Sequence, residues 1–325
     1  MKRICGIVQR FLRALPMWLR LRKEFGAKIA FWMCWAYVLP SRKGPRYMAA
    51  LEDYFCRELA EQTAAYQSSV FDPDARQPGV IPVWFCWLTG ESSMPELVRL
   101  CHTRLQRMLP EGRAKLTLLT LDNYRQYISL PDWVERKYAD GIISPAHFSD
   151  VLRFSLLSRY GGMWLDATVY ASAPIPEDYL SAPYYTQKVR DKSLWPKEPS
   201  HAQWCGFIWS GCAGNPLFSY LRDGLCAYWK KHDTVVDYIF FDYIILAAYH
   251  GVPAIRQMID AQEPNNEEIW ALWKLLPQPF DRVAYEALCR KNIFHKLTYK
   301  GALIRQTEDG RETYYQHLLA EEELA

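Results

Sequence analysis

Acidic residues are nearly missing from the first fifty positions, where eleven Lys or Arg stand against Glu24 alone. The whole chain holds 39 basic and 36 acidic residues, which leaves 28 against 35 beyond that point. The net charge of +3 therefore hides a basic head on an acidic body. The chain also lacks any apolar run of the ~20 residues that a bilayer span needs. Ile29 to Leu39 is the nearest approach, at eleven residues between Lys28 and Pro40. There is no CxxC pair and no histidine at zinc spacing beside the nine cysteines, which points to reduced core cysteines and away from a zinc module. No cleavable signal is apparent, because Arg10 and Arg13 interrupt the early apolar pattern, and a cytoplasmic catalytic domain is expected. No internal repeat, low-complexity tract or nucleic-acid-binding module accompanies the basic residues, so nucleic acid is discounted as a partner.

What the chain does have is apolar content. Half of its 325 residues are hydrophobic, enough to bury a full core, and the length suits one large α/β domain with additions better than two equal domains. Aromatics reach 15%, and Trp and Tyr suit stacking on a base or a sugar ring, although most of them simply fill the core. In the basic head, Ile4, Ile7, Val8, Phe11, Leu12, Leu15, Trp18 and Leu19 form a helical stripe interrupted by Pro16 and surrounded by arginines. That pattern fits a helix lying on an anionic membrane surface, and equally a helix packed on the catalytic domain.

Chemistry concentrates between Ser144 and Thr168. Ser144-Pro145 is an N-cap followed by a first-turn proline, apolar residues recur at helical spacing to Tyr160, and Gly161-Gly162 permits the positive φ that ends a helix. Asp150 and Arg153 then share one helical face. Met163 to Leu165 delivers Asp166 near a strand end, where open α/β sheets collect ligands. Upstream, polar residues 62–77 read as a helix end and linker, Val83 to Leu88 as a buried central strand, Met94 to Leu109 as a helix and Leu116 to Leu121 as a strand, which makes one βαβ unit. Asp122 to Asp140 reads as helical. Lys188 to Ser200 reads as a flap, Phe207 to Gly211 as a strand, and Leu217 to Trp229 and Val235 to Tyr249 as helices. Asp237 and Asp242 are five apart, roughly 140° around a helix, so one of them is a candidate acceptor base or acceptor-orienting group. The expected divisions are a basic helical extension over 1–78, a catalytic domain over 79–305 and a tail over 306–325.

In the segments 81–90, 143–150 and 161–169, and more weakly at 237–242 and 296–300, the chain resembles the capsular polysaccharide synthesis family of glycosyltransferases, relatives of the DXD-type sugar transferases. The resemblance implies a glycosyltransferase A type fold, an α/β domain with a mostly parallel central sheet, preceded here by N-terminal helices. It implies a nucleotide-sugar donor, UDP-linked, a glycan or lipid-linked acceptor hydroxyl, and retention at the anomeric carbon. Asp150 is then the residue that binds donor-sugar hydroxyls, and Arg153 supports sugar or phosphate. Asp166 is the ligand to a divalent metal, Mn²⁺ or Mg²⁺. Thr168 stands where a second DXD carboxylate is usual, giving Asp-Ala-Thr, a form that related capsular-type proteins often show. A neutral oxygen contributes less to a dication than a carboxylate. Trp87 and Thr89 are expected at the base and Trp164 in the nucleotide pocket. His295 is a further candidate metal ligand, and Lys296 and Lys300 are candidate stabilisers of the leaving diphosphate. The competing class is a donor-binding, catalytically inactive subunit of a polysaccharide assembly complex.

Overall fold

The computed structural model describes residues 2–39, 44–194, 198–301 and 303–323, with the side chains of 2–9, 11, 194 and 323 excepted. Ile4, Ile7, Val8 and Phe11 of the expected stripe, and positions 195–197 of the expected flap, thus lie outside the described side chains or residues.

The chain opens with helices α1 (Lys2–Val38), α2 (Pro45–Glu58) and α3 (Ala60–Tyr66). β1 (Ile81–Cys86), α4 (Glu96–Met108) and β2 (Ala114–Leu119) form the expected βαβ unit. Next come α5 (Asp132–Ala139), α6 (Pro145–Tyr160), β3 (Gly162–Leu165), β4 (Val169–Ala171), α7 (Glu177–Ser181), β5 (Tyr184–Thr186) and β6 (Ile208–Gly211). The remainder is α8 (Pro216–Lys231), α9 (Phe240–Gly251), α10 (Pro253–Ala261), α11 (Ala271–Leu275), α12 (Arg282–Lys291), β7 (Phe294–Lys296) and α13 (Tyr314–Glu323).

The main sheet runs β2-β1-β3-β6-β5. β1 pairs parallel with both β2 and β3, whereas β6 runs against β3 and β5, so four of the five strands share one direction. Period-two alternation is plain in β1 and β3. Val83, Phe85, Met163 and Leu165 enter one buried cluster, and Trp84 and Trp164 enter the other, so the continuous apolar run does serve two covered faces. β4 and β7 make a separate antiparallel pair that places Lys296 opposite Val169 and His295 opposite Tyr170.

Gly161 and Gly162 are placed by necessity. Both have positive φ, 63° and 85°, and a Cβ on Gly162 would stand 2.0 Å from the Pro82 carbonyl oxygen. The close approach seats the start of β3 against β1.

Two expected helices differ. Only Asp132–Ala139 of the stretch 122–140 is α-helical, because Pro131 has no N–H to continue a preceding turn and instead precedes α5. The helix expected from Val235 begins at Phe240, which leaves Asp237 in the loop before it and Asp242 in its first turn.

The head of the chain is a hairpin. Gly26 breaks α1 with φ 80° and ψ 166°, and the Cys34 thiol meets the Ala14 carbonyl at 3.5 Å. In a straight helix twenty residues would separate those groups by ~30 Å. Leu21, Phe25 and Ile29 of α1, with Leu51, Tyr54 and Phe55 of α2, are buried in the cluster that also holds α6, α8 and α9. Leu12, Leu15 and Leu19 are instead 70%, 65% and 57% exposed, one apolar stripe facing outward. Among the described residues no helix is long and apolar enough to cross a membrane. At the other end, α13 buries Tyr314, Tyr315 and Leu318 with Leu97 and Cys101 of α4.

Candidate active site

β1 and β3 are parallel neighbours, so their C-terminal ends open on one sheet edge, and α6 brings its own polar pair to that edge. Ser144 caps α6 by accepting from the His147 N–H, as its position predicts. Arg153 is 4% exposed at the side chain and donates from Nη1 to Asp150 Oδ1 and from Nη2 to Asp166 Oδ1, each at 2.9 Å. Trp164 Nε1 adds a second donor to Asp166 Oδ1 at 2.9 Å, while Lys296 Nζ lies 3.2 Å from Oδ2. The Arg153 guanidinium also stacks 4.9 Å from the Trp164 ring, and Lys296 Nζ lies 4.9 Å from the Phe207 ring. Asp150, Arg153, Asp166, Trp164 and Lys296 are therefore one network drawn from α6, β3 and β7.

Its charges are shared out unequally. Burial opposes ionisation of Asp166, but Lys296, Arg153 and the Trp164 N–H outweigh it and hold its carboxyl below the ordinary value. Burial dominates at Asp150 and raises its carboxyl despite Arg153 and His147. Two carboxylates facing two cations leave the network near neutral, with Asp166 the more firmly ionised member.

Asp150, Arg153, Asp166 and Lys296 line a cavity of about 340 Å³ together with Glu198, Ser200, Trp204, Phe207, Phe241, Asp242 and Trp270, whereas Trp164, expected in the pocket, is buried and does not line it. Tyr238 forms part of the rim. A larger groove of about 730 Å³ lies at the N-terminal hairpin, lined by Phe31, Trp32, Trp35, Arg46 and Tyr47. It shares no lining residue with the first and holds no carboxylate, so the chemistry belongs to the smaller cavity.

The structure does not bring every expected residue there. Asp166 to Val169 is a tight turn closed by Val169 N–H to Asp166 O at 2.8 Å, and Thr168 uses its carbonyl to accept from Leu297 N at 2.8 Å. Thr168 is absent from the cavity lining. His295 sits beside Lys296 on β7 and so points to the opposite face. It is fully buried with Nε2 on Ser172 Oγ at 3.1 Å, and burial lowers its pKa to about 4. Trp87 and Thr89 lie just past β1, where both bond Ser93 Oγ, at 2.9 and 2.5 Å, and Trp87 packs edge-on to Tyr299 at 5.8 Å. Lys300 follows Tyr299 and contacts neither Asp150 nor Asp166.

A protein-held dication is poorly served by this donor set. Both oxygens of Asp166 are engaged by cations, and no group of three or more His, Cys, Asp or Glu is arranged for a metal among the described residues. Ser200 ends the expected flap, whereas Trp204, Phe207 and Trp270, which also line the cavity, are not singled out by the sequence because their positions in the chain carry no signal beyond their aromatic type.

A profile of the capsular polysaccharide synthesis protein family matches residues 42–318. The chain belongs to that family. Among solved structures this family member is similar to one titled PaToxG Glycosyltransferase, with 12% identity and a TM-score of 0.42, over 75% of this chain and 94% of that one. No curated protein sequence matches it.

Proposed function

We propose that this capsular polysaccharide synthesis protein is a glycosyltransferase of the A-type fold. It takes a sugar from a nucleoside diphosphate, UDP-linked, and transfers it to a hydroxyl of a glycan or lipid-linked acceptor with retention at the anomeric carbon. The observation that carries this reading is the buried Asp150–Arg153–Asp166–Lys296 network at the C-terminal sheet edge, opening on a cavity with aromatic walls. Departure of a nucleoside diphosphate needs positive charge held in place before the bond breaks, and Lys296 and Arg153 are cations already aimed at one point. Asp150 has one oxygen on Arg153 and a second to accept sugar hydroxyls. Trp87 and Tyr299, packed edge-on to each other outside this cavity, offer flat apolar faces for a base. The divalent metal expected from the motif has no ready-made cage here, so the diphosphate itself would have to supply most of its ligands. The exposed stripe Leu12, Leu15 and Leu19 within a basic head supports a peripheral position for the enzyme on the inner face of the cell membrane.

The full engagement of Asp166 by cations favours a second reading, a subunit that binds donor without turning it over. Donor hydrolysis and transfer, measured over a panel of nucleotide sugars with Mn²⁺ present, test both. Turnover of one of them supports the enzyme, binding without turnover supports the subunit, and neither binding nor turnover sinks the proposal.

A further inference from the structure

Asp242 lines the same cavity as the cations and plays no part in the chemistry above. It is buried in the first turn of α9, at 5% exposure, and Trp204 Nε1 donates to its Oδ1 at 2.8 Å. Its Oδ2 has no hydrogen-bond partner among the described residues, and no cation lies within ion-pair distance of either oxygen. Ser200 also lines the cavity, buried, and its Oγ has no hydrogen-bond partner among the described residues. The loop that carries Ser200 and Trp204 is held in an unusual shape between them, with His201 and Ala202 at φ 44° and 60°, a conformation that side chains rarely adopt without surrounding constraint. Asp237, the other acid of this segment, is already bonded by the Tyr47 hydroxyl at 2.6 Å and does not line the cavity.

We propose that Asp242, fixed by Trp204 and flanked by Ser200, is a sugar-recognition residue whose second carboxyl oxygen meets a hydroxyl of the sugar bound in this cavity. Two unpartnered polar atoms beside a cavity are matched by a ligand rich in hydroxyls, and Trp204, Phe207, Phe241 and Trp270 offer faces for its C–H surfaces. The groups around Asp242 settle which way the hydrogen bond runs. Asp150 and Arg153 face it from α6, Asp166 from the turn after β3 and Lys296 from β7. Glu198 lies at the start of the loop, Asp237 and Tyr238 lie before α9, Tyr243 follows on α9, and Tyr47 and Glu52 stand on α2. The two cations are taken up by Asp150 and Asp166. Burial, then Glu198, Asp150 and Asp237, raise the Asp242 carboxyl to about 8 against the opposing bond from Trp204. At neutral pH it is therefore a carboxylic acid that accepts from Trp204 at one oxygen and donates to the sugar from the other.

The inference rests on the proposed function, and the two fail differently. A wild-type chain that neither binds UDP nor turns over any nucleotide sugar overturns both. Given an active wild type, Asp242→Ala and Asp242→Asn are compared in the full chain for UDP affinity, KM in donor hydrolysis, KM for acceptor in transfer, and the pH profile. Asp242→Ala is expected to leave UDP affinity unchanged and raise one KM about tenfold, the worth of about one hydrogen bond. A rise in the hydrolysis KM identifies the donor sugar as the ligand, and a rise confined to transfer identifies the acceptor. Asp242→Asn keeps the Trp204 bond through its carbonyl and donates from its amide, so its KM should stay within about threefold of wild type. It should also lose the decline in sugar affinity that is expected of wild type as pH rises through about 8. Should Asp242→Ala not fold, the Asn variant and the pH profiles carry the test alone. Unchanged KM values in the Ala variant overturn the proposal. So does an inactive Asn variant beside a wild-type kcat that rises through about pH 8, which would make Asp242 a general base.

Discussion

Arg153 on α6 and Asp166 at the end of β3 are joined by a hydrogen bond of 2.9 Å from Nη2 to Oδ1, and Nη1 of the same guanidinium reaches back to Asp150 at 2.9 Å. One buried arginine thus sets the positions of two carboxylates that belong to different elements. A Lys could not do this, because it lacks the rigid fork that addresses two acceptors at once.

Asp166→Ala should cut transfer and donor hydrolysis by at least about 10²-fold, the usual scale for losing one organising electrostatic group. The protein should stay folded, since Arg153 keeps Asp150 and Lys296 is partly solvated. Circular dichroism with a donor-hydrolysis assay checks this, and near-normal turnover would refute the role.

Arg153→Ala removes the partner of the buried Asp150 and should cost ~3–5 kcal/mol of stability in urea titrations near neutral pH. The loss should shrink on acidification. Asp150 already has a raised pKa, and without Arg153 it rises further, so the folded state takes up a proton before the unfolded state does. The penalty is full above the folded pKa and fades as pH falls towards the unfolded value, about 3.9. A deficit independent of pH would mean that lost packing, not the stranded carboxylate, is the cause.

Asp150→Asn should leave UDP affinity within about twofold while the extra affinity for the intact nucleotide sugar falls about tenfold, because an amide accepts at one atom only. Calorimetry with UDP and with the turned-over donor measures the difference. Equal losses for both ligands would move Asp150 from the sugar to the nucleotide.

Mn²⁺ titrated into the protein alone should show no saturating site tighter than the millimolar range, since Asp166 offers no free oxygen pair and His295 faces away. Tighter binding should emerge only with UDP present. A stoichiometric tight site in the free protein would contradict this donor set.

Replacing Leu12, Leu15 and Leu19 together by Ser should abolish co-sedimentation with anionic vesicles while leaving Tm unchanged, because these side chains are exposed. Binding of the unmodified chain should weaken with salt, each basic residue near the surface contributing about 1 kcal/mol at low ionic strength. Removing the whole head is the poorer test, since Leu21, Phe25 and Ile29 belong to the core. Salt-independent binding, or none, would count against the membrane reading.

Much of this was legible in the residues themselves, for a local reason. Ser144-Pro145, the helical spacing to Tyr160 and Gly161-Gly162 act over a few positions, so the cap, the helix α6 and the sharp entry into β3 follow from short-range sterics and hydrogen bonding. The βαβ start and the face shared by Asp150 and Arg153 follow in the same way. What lay beyond the sequence was decided by packing over long separations. Strand alternation on β7 sends Lys296 to Asp166, 130 positions earlier, and turns His295 into the core, and only the pairing with β4 sets which of the two points inward. Trp204 and Asp242 meet across 38 positions because α9 packs behind the loop before β6. The break at Gly26 folds α1 into a hairpin that buries one apolar set and exposes another, a division that the helical stripe cannot specify, because a stripe shows that a face is apolar and not what covers it.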